Sequence, residues 1–478
     1  MRLSLWSFEW RLLRREPLIV VLTALLVVLG AYASVTGSRF VRAQEQTIEE
    51  LALEERSRLD SLRTLMARLE RGESLAVSPF ADPRSPAVAG RQVASRYTVL
   101  PPGPLAPLAI GQRDVQPFWA LISTRTKQTF FVNDEIDNPV ALLAGRIDLA
   151  FVVLVLYPLF ILALTFDVVA GERERGTLGL VLSQPVAPSQ VLTTKLLVRA
   201  LVAVLLTVAL SVAAALATGV ALSDPTVLTR FALWCGMLLL YGAFWFAAAL
   251  AVNARRLSSA ASAVTLLGVW LVVVVILPAV SAAIISVTYP APSRLALTTR
   301  LREATDAAAQ QRQDALAAFM AEHPTYAADA GAGAPDPNVM AVALQDAAER
   351  MMAPRYAEFD AALDAQRVAA DRLRLMSPAL VLQGALLDLA GSGEARFRDY
   401  ERQFDRFHSE WRAFFNDRLL GRQALTAQDY ANIPSFTYRE PTVGALVSRL
   451  LPGVLLLLVL TVALIWNARA RMHRATLA

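Results

Sequence analysis

The chain has 478 residues, of which 55% are hydrophobic and only 18% are charged, whereas soluble proteins carry about a quarter charged residues. The formal net charge of +5 is modest, and no basic stripe with interleaved aromatic residues occurs, which argues against a nucleic-acid-binding protein. The single cysteine, Cys235, lies within an apolar run, so the chain forms no intrachain disulfide.

Residues 1–16 mix leucine and tryptophan with arginine, which predicts a cytoplasmic amphipathic helix at the membrane surface. The apolar run that follows, residues 17–34, predicts a first membrane span. An alternative stays open, because Arg14, Arg15, the apolar run and the A-Y-A sequence at 31–33 also resemble a cleavable signal peptide. The length of the segment before the apolar run favours a retained span.

Six apolar stretches in all are long enough to cross a membrane, since a hydrocarbon core of ~30 Å needs roughly 20 helical residues. Length separates them from ordinary buried helices; residues 231–252, for example, contain no charged side chain. The predicted spans are residues 17–34, 149–166, 196–222, 231–252, 260–280 and 450–466. The sequence thus predicts an all-α membrane protein with six transmembrane helices.

Two long segments between spans, residues 35–148 and 281–449, make up more than half of the chain. The first predicts an amphipathic helix and then a proline-rich stretch, which is incompatible with regular helix. The second predicts three long helices, with an apolar turn at 378–389 before the last. We expect these helices at residues 293–322, 339–375 and 394–420. Together the two segments predict a large, mainly helical domain built from two loops.

The last of these helices carries aromatic residues three and four positions apart, which is the spacing of one helix face. We expect this aromatic stripe to pack against the helices of 293–375 and the first helix of 35–148. A groove for a hydrophobic ligand is the alternative. The stripe consists of Phe397, Tyr400, Phe404, Phe407, Trp411, Phe414 and Leu419.

Arginine and lysine residues gather beside one set of span ends, and such a bias marks the cytoplasmic side. The short loop on the opposite side, residues 223–230, contributes Arg230 alone. Both termini, the loop 167–195 and the tail 467–478 are therefore predicted to be cytoplasmic, and the two long segments extracytoplasmic. The basic residues are Arg2, Arg11, Arg14, Arg15, Arg173, Arg175, Lys195, Arg199, Arg255, Arg256, Arg469, Arg471 and Arg474. We expect a multi-pass protein of the bacterial inner membrane.

Sequence patterns of the common catalytic sites do not occur. The chain has no G-x-x-x-x-G-K-[ST], H-E-x-x-H or G-x-S-x-G pattern and no paired-cysteine metal spacing. Its histidines, His323, His408 and His473, lie far apart in the sequence. The sequence therefore predicts no enzyme active site, no metal and no cofactor of its own.

The cytoplasmic loop 167–195 has an unusual pattern. A charged cluster ends at Gly176, a short apolar stretch follows and stops at Pro185, and a helix begins behind Ser189. A short element at the inner ends of two long helices is suited to receive motion from an ATPase. An apolar contact point flanked by charges would serve this purpose.

The run G-E-R-E-R-G-T-L…L-S-Q-P-V at 171–186, with K-L-L at 195–197, resembles the coupling-helix region of ABC-2-type permeases. The resemblance implies six spans, a separate ABC ATPase subunit that binds ATP and docks at this loop, and a second permease copy or paralogue. The coupling residues that it implies are Glu172, Arg173, Glu174, Arg175, Gly176, Thr177, Leu178, Leu180, Leu182, Gln184 and Pro185.

Four further runs, at 108–115, 123–130, 138–145 and 377–393, resemble a subfamily of these permeases that contains a domain of unknown function, DUF3526. The expected function is ATP-driven movement of a substrate across, or extraction from, the inner membrane. The alternative is a mechanotransmitter, which couples ATP hydrolysis to an extracytoplasmic protein partner without moving a substrate. Neither the substrate nor the direction of transport follows from the resemblance.

Overall fold

The computed structural model describes residues 10, 16–73, 77–78, 81–111, 113, 116–125, 147–176, 188–290, 292–324, 326–327 and 336–476. In chain order its elements are α1 (Pro17–Glu70), α2 (Pro86–Val88), β1 (Arg96–Val99), β2 (Trp119–Ile122), α3 (Leu149–Phe151), α4 (Tyr157–Thr165), α5 (Ala170–Glu174), α6 (Pro188–Ala217), α7 (Pro225–Asn253), α8 (Ser259–Trp270), α9 (Leu277–Thr288), α10 (Arg294–Gln310), α11 (Arg312–Glu322), α12 (Pro337–Leu373), α13 (Pro378–Ala390), α14 (Glu394–Leu420), α15 (Ala427–Ala431) and α16 (Val443–Thr476). π-Helical turns at Val152–Leu156 and Leu271–Ile276 connect α-helical pieces, and a third, at Ala89–Val93, follows α2 and ends before β1.

The structure is 78% helical, as the predicted all-α class requires. The exception among the described residues is one hairpin, in which β1 and β2 pair antiparallel with Arg96 opposite Ile122. This hairpin lies in the proline-rich part of the first long segment, where no regular helix was expected. The fold is thus helical apart from this one small sheet.

Among the residues that the structure describes, six helical stretches are long and apolar enough to cross a membrane, judged by length and composition. They are Pro17–Glu70, Leu149–Glu174, Thr193–Ala217, Pro225–Asn253, Ser259–Thr288 and Val443–Met472. The predicted number of six is confirmed in this sense, and the protein is of the multi-pass membrane class. The third helix ends at Ala217, before the predicted 222, because Gly219 adopts a left-handed conformation (φ 75°) that terminates it.

Helix α1 is continuous over 54 residues, a length of about 80 Å at ~1.5 Å per residue. The sequence suggested a span and then a separate charged helix, but no proline interrupts the junction and the helix continues through it. Gly37 allows close packing, because a Cβ there would lie 1.9 Å from the carbonyl oxygen of Pro107. Helix α1 therefore belongs both to the membrane helices and to the domain formed by the two long segments, 35–148 and 281–449, which we call the body.

Helix α7 lies at the centre of the membrane helices, and its Trp234, Tyr241 and Trp245 are fully buried. The Tyr241 hydroxyl donates to the carbonyl of Leu154 at 3.2 Å, within the π-helical turn before α4. The helix formed by α8 and α9 is different, since only 11% of its most apolar stretch is buried within the chain. That helix presents apolar surface to its surroundings.

The expected apolar turn at 378–389 is wrong, because these residues form helix α13. The Ser377 hydroxyl accepts the N–H of Ala379, Pro378 occupies the first turn, and Gly391 ends the helix at φ 77°, which together are strong helix-delimiting signals. The helix is apolar and packs on α7 and α16, and the Ser377 hydroxyl donates to the carbonyl of Val273. At 13 residues it is too short to cross a membrane.

The aromatic stripe of α14 is buried, as expected; it packs on α1 and, through Leu419, on α11 and α12, and one member differs. Phe404, Phe407 and Trp411 pack mainly on α1 and on the segment around the hairpin, and the Trp411 indole N–H donates to the carbonyl of Gly90 at 3.1 Å. Phe415 is buried in place of the predicted Phe414, whose ring lies 3.7 Å from the Arg418 guanidinium. Four-residue steps keep to the buried face of a helix, and position 415 continues that series from 411.

Candidate coupling site

The predicted coupling segment begins in helix α5, which contains Glu172, Arg173 and Glu174 and is followed by Arg175 and Gly176. Gly176 ends it in the left-handed conformation, with φ 72°. The remaining predicted residues, Thr177, Leu178, Leu180, Leu182, Gln184 and Pro185, lie outside the described residues. The structure therefore bears on the charged half of the segment.

Two ion pairs join the region of α5 to the start of α6. Glu172 pairs with Lys195, and the two side chains are only 15% and 8% exposed. Asp167 lies 3.4 Å from a guanidinium nitrogen of Arg199, which also donates to the carbonyl of Leu164. Separation of either pair would leave a largely buried charge without its partner, which is energetically costly. The two pairs therefore hold α6 against the region of α5.

Helix α5 is also joined to the turn between α7 and α8. The Arg173 guanidinium donates to the carbonyls of Arg256 and Leu257, at 2.7 and 2.9 Å. The Glu174 carboxylate accepts the backbone N–H of Ser259 at 2.8 Å. We call α5 together with these ties to α6 and to the α7–α8 turn the inner clamp.

Backbone geometry supports the inner clamp. Arg256 has φ 56°, a conformation that non-glycine residues rarely adopt, in the turn whose carbonyl Arg173 binds. Gly171 is tightly enclosed, since a Cβ there would lie 3.0 Å from Arg175 Nη2 and 3.2 Å from Asp167 Oδ2. The Asn253 side chain adds a tie from α7, donating to the carbonyl of Thr165 at 3.0 Å.

Several of these partners were not predicted from the sequence. Lys195 and Arg199 were predicted only as markers of the cytoplasmic side, yet both are buried and bind acidic groups. The signal was their i,i+4 spacing at the start of an apolar helix, with Asp167 and Glu172 on the preceding element. Asn253, at the end of an apolar helix, gave a second signal of the same kind.

An open groove of about 1470 Å³ lies beside the same turn. Its walls combine apolar side chains with guanidinium groups. They include Leu458, Val459, Val462, Trp466, Arg255, Arg256 and Arg471. Across the part of the chain described by the structure, no group of three or more His, Cys, Asp or Glu side chains could hold a metal ion.

Fold and site thus define a class: a multi-pass helical membrane protein whose α5 region is bound to the neighbouring membrane helices and which carries a helical body. Residues 294–439 match the family described as a domain of unknown function, DUF3526. The DUF3526 resemblance is thereby confirmed for this range, which contains α10 to α15 and the run 377–393. The runs at 108–115, 123–130 and 138–145 lie outside the match, so their resemblance stays a prediction. No curated protein matches the chain.

Proposed function

We propose that this protein is the permease subunit of an ABC-2-type ABC transporter, powered by ATP that a separate subunit binds and hydrolyses. The observation that supports the proposal best is the inner clamp. It joins α5 to α6 through the Glu172–Lys195 pair and to the α7–α8 turn through Arg173 and Glu174. A force applied at this segment would reach four membrane helices at once.

The mechanism follows from that stiffness. An ATPase that closes on ATP moves the segment at its surface, and a loosely attached segment would absorb the motion. Here the charged side chains bind within the chain, so α5 moves together with the inner ends of α4, α6, α7 and α8. Arg175 is exposed, and it is the described side chain of the segment best placed to meet the ATPase.

The remaining features of the proposal concern surroundings and partners. The protein lies in the inner membrane with both termini cytoplasmic, and the body of 35–148 and 281–449 is extracytoplasmic. A second permease, identical or related, completes the pathway. The apolar face of α8 and α9, little buried within the chain, offers surface for that subunit or for lipid.

Isolation of the tagged full-length protein from its native membranes, in mild detergent, tests the proposal. We expect an ABC ATPase to be isolated with it, detected by mass spectrometry and by ATP hydrolysis. Arg175→Glu should reduce the amount of ATPase recovered by roughly tenfold, because interface charges govern docking. Arg469→Glu changes an exposed arginine on another helix and should leave recovery unchanged. Absence of any ATPase from the wild-type isolate would contradict the proposal.

One observation favours mechanotransmission as a second candidate function. Helix α1 passes without interruption from the membrane helices into the body, where Leu59, Leu62 and Met66 pack among the aromatic residues of α14. The N–H of Tyr97 in β1 also binds the Glu55 carboxylate of α1 at 2.7 Å. A continuous rod of this kind could carry movement of the spans to the body, and from there to an extracytoplasmic partner.

A further inference from the structure

Three buried arginines lie where the body meets the membrane helices. Arg230 lies near the start of α7, Arg396 near the start of α14, and Arg113 in the loop between β1 and β2. Each of the three side chains is only 5% exposed. Glu440, shortly before α16, lies against Arg230 and Arg396 and interacts with Arg113 only electrostatically. We call these four residues the junction cluster.

Glu440 is already occupied by two of the arginines. Arg396 Nε donates to Glu440 Oε1 at 2.9 Å and Arg396 Nη2 pairs with the same carboxylate, while Arg230 Nη2 lies 3.6 Å from Oε2. Arg396 is satisfied further by the carbonyls of Pro101 and Gly391, at 3.0 and 3.2 Å. With three guanidinium groups and one carboxylate, the junction cluster holds two positive charges in excess.

Arg113 carries one of these two excess charges. Among the described residues, neither of its terminal nitrogens, Nη1 and Nη2, has a hydrogen-bond acceptor, although both are buried. Burial, followed by the charge of Arg396, lowers the pKa of Arg113 to about 10, so the side chain still carries its proton at neutral pH. An unpaired buried charge is among the most destabilising features that a folded chain can hold.

We propose that Arg113, with Arg230 and Arg396, forms a binding site for the oxyanion of a phosphate group at the junction of body and membrane helices. The two free terminal nitrogens of a guanidinium form a planar fork that matches two phosphate oxygens. An oxyanion there supplies the missing acceptor and compensates the excess charge. A phospholipid headgroup and a soluble phosphate compound present the same oxyanion, so the chemistry of recognition is the same for both.

The site is separate from the inner clamp, because Arg230 lies near the start of α7, whereas Asn253 and the α7–α8 turn lie at its other end. It would tie α7, α14 and the segment before α16 together when occupied. The family match ends at residue 439, so the cluster draws Arg396 from the matched region and Arg113, Arg230 and Glu440 from outside it. Occupancy is thus expected to stiffen the joint between the body and the spans.

Thermal unfolding of the full-length protein in detergent, followed by tryptophan fluorescence, tests the site. With inorganic phosphate at about a hundred times its Kd we expect the wild-type Tm to rise on the order of 5 °C, against no rise with chloride at equal ionic strength. Nanodiscs of phosphatidylcholine with phosphatidylglycerol, compared with phosphatidylcholine alone, form the lipid arm. A rise in that arm alone identifies a headgroup as the source, and a rise in the phosphate arm alone identifies a soluble phosphate.

Variants separate a binding role from a structural one. Arg113→Met removes an unpaired charge, so its ligand-free Tm should equal or exceed that of the wild type, and the rise should disappear. Arg113→Lys keeps the charge without the fork and should retain less than half of the rise. Arg355→Met, at an exposed arginine, should behave as the wild type. The proposal fails if neither phosphate source raises the wild-type Tm, if chloride does so equally, or if Arg113→Met or Arg113→Lys keeps the full rise.

Discussion

At the residue scale, the charges at the inner end of the spans act within the chain. Lys195 and Arg199 stand at the start of an apolar helix, where a lone cation would extend towards the membrane surface. Each instead binds an acidic group of the α4–α5 region, Glu172 and Asp167 respectively. These pairs bind the charged loop to the membrane helix α6. Arg175 remains exposed at the surface of this loop.

The Glu172–Lys195 pair yields a quantitative prediction. Lys195→Met leaves a largely buried carboxylate without its cation, and removal of one partner of such a pair costs about 3 kcal/mol. Glu172→Gln should cost a similar amount, whereas the double variant should recover at least half of the sum. Hydrogen exchange of the backbone amides of α5 measures the local opening free energy. Arg469→Met is the control, and strictly additive effects of the two single variants would count against a coupled pair.

At the scale of elements, α1 and α13 differ most from expectation. Helix α1 combines a predicted span with a predicted helix of the body, because no residue between them stops the hydrogen-bond ladder. Helix α13 replaces an expected turn and packs against α7 and α16. Both elements join the membrane helices to the body, so the two parts are mechanically connected by more than loops.

If the protein is a mechanotransmitter, interruption of α1 should separate ATP hydrolysis from movement of the body. Glu45 is an exposed residue of α1, and proline there removes a helix hydrogen bond and destabilises the helix by about 3 kcal/mol. We expect Glu45→Pro to keep ATP hydrolysis by the complex and to lose the ATP-dependent change in hydrogen exchange of α14. Glu45→Ala should retain both. A body that still responds to ATP in Glu45→Pro would show that α1 does not carry the signal.

At the scale of the whole molecule, the proposed function depends on orientation. In the proposed orientation, which rests on the positive-inside bias, the inner clamp faces the cytoplasm and the proposed ATPase, and the body lies on the opposite face. The junction cluster then lies near the outer headgroup region, where phosphate groups are abundant. Orientation thus decides which partners each site can meet.

Cysteine labelling in intact cells tests this orientation. In a Cys235→Ala background, Ser61→Cys places a thiol on an exposed position of the body, and Arg469→Cys places one on the exposed inner part of α16. We expect a membrane-impermeant maleimide to label position 61 at least ten times faster than position 469. Lysed cells, in which both should react, provide the control. Labelling of 469 but not 61 before lysis would reverse the topology and refute the proposed docking side.

The sequence by itself determined the number and approximate position of the membrane helices, because the thickness of a bilayer imposes a length that composition alone reveals. It also located the charged segment of α5 and the aromatic face of α14, since both are local patterns. Tertiary structure alone decided which charges pair in the inner clamp and that Arg230 and Arg396 share Glu440. Each of these depends on which side chains meet from elements far apart in the chain, and periodicity within one element carries no information about such encounters.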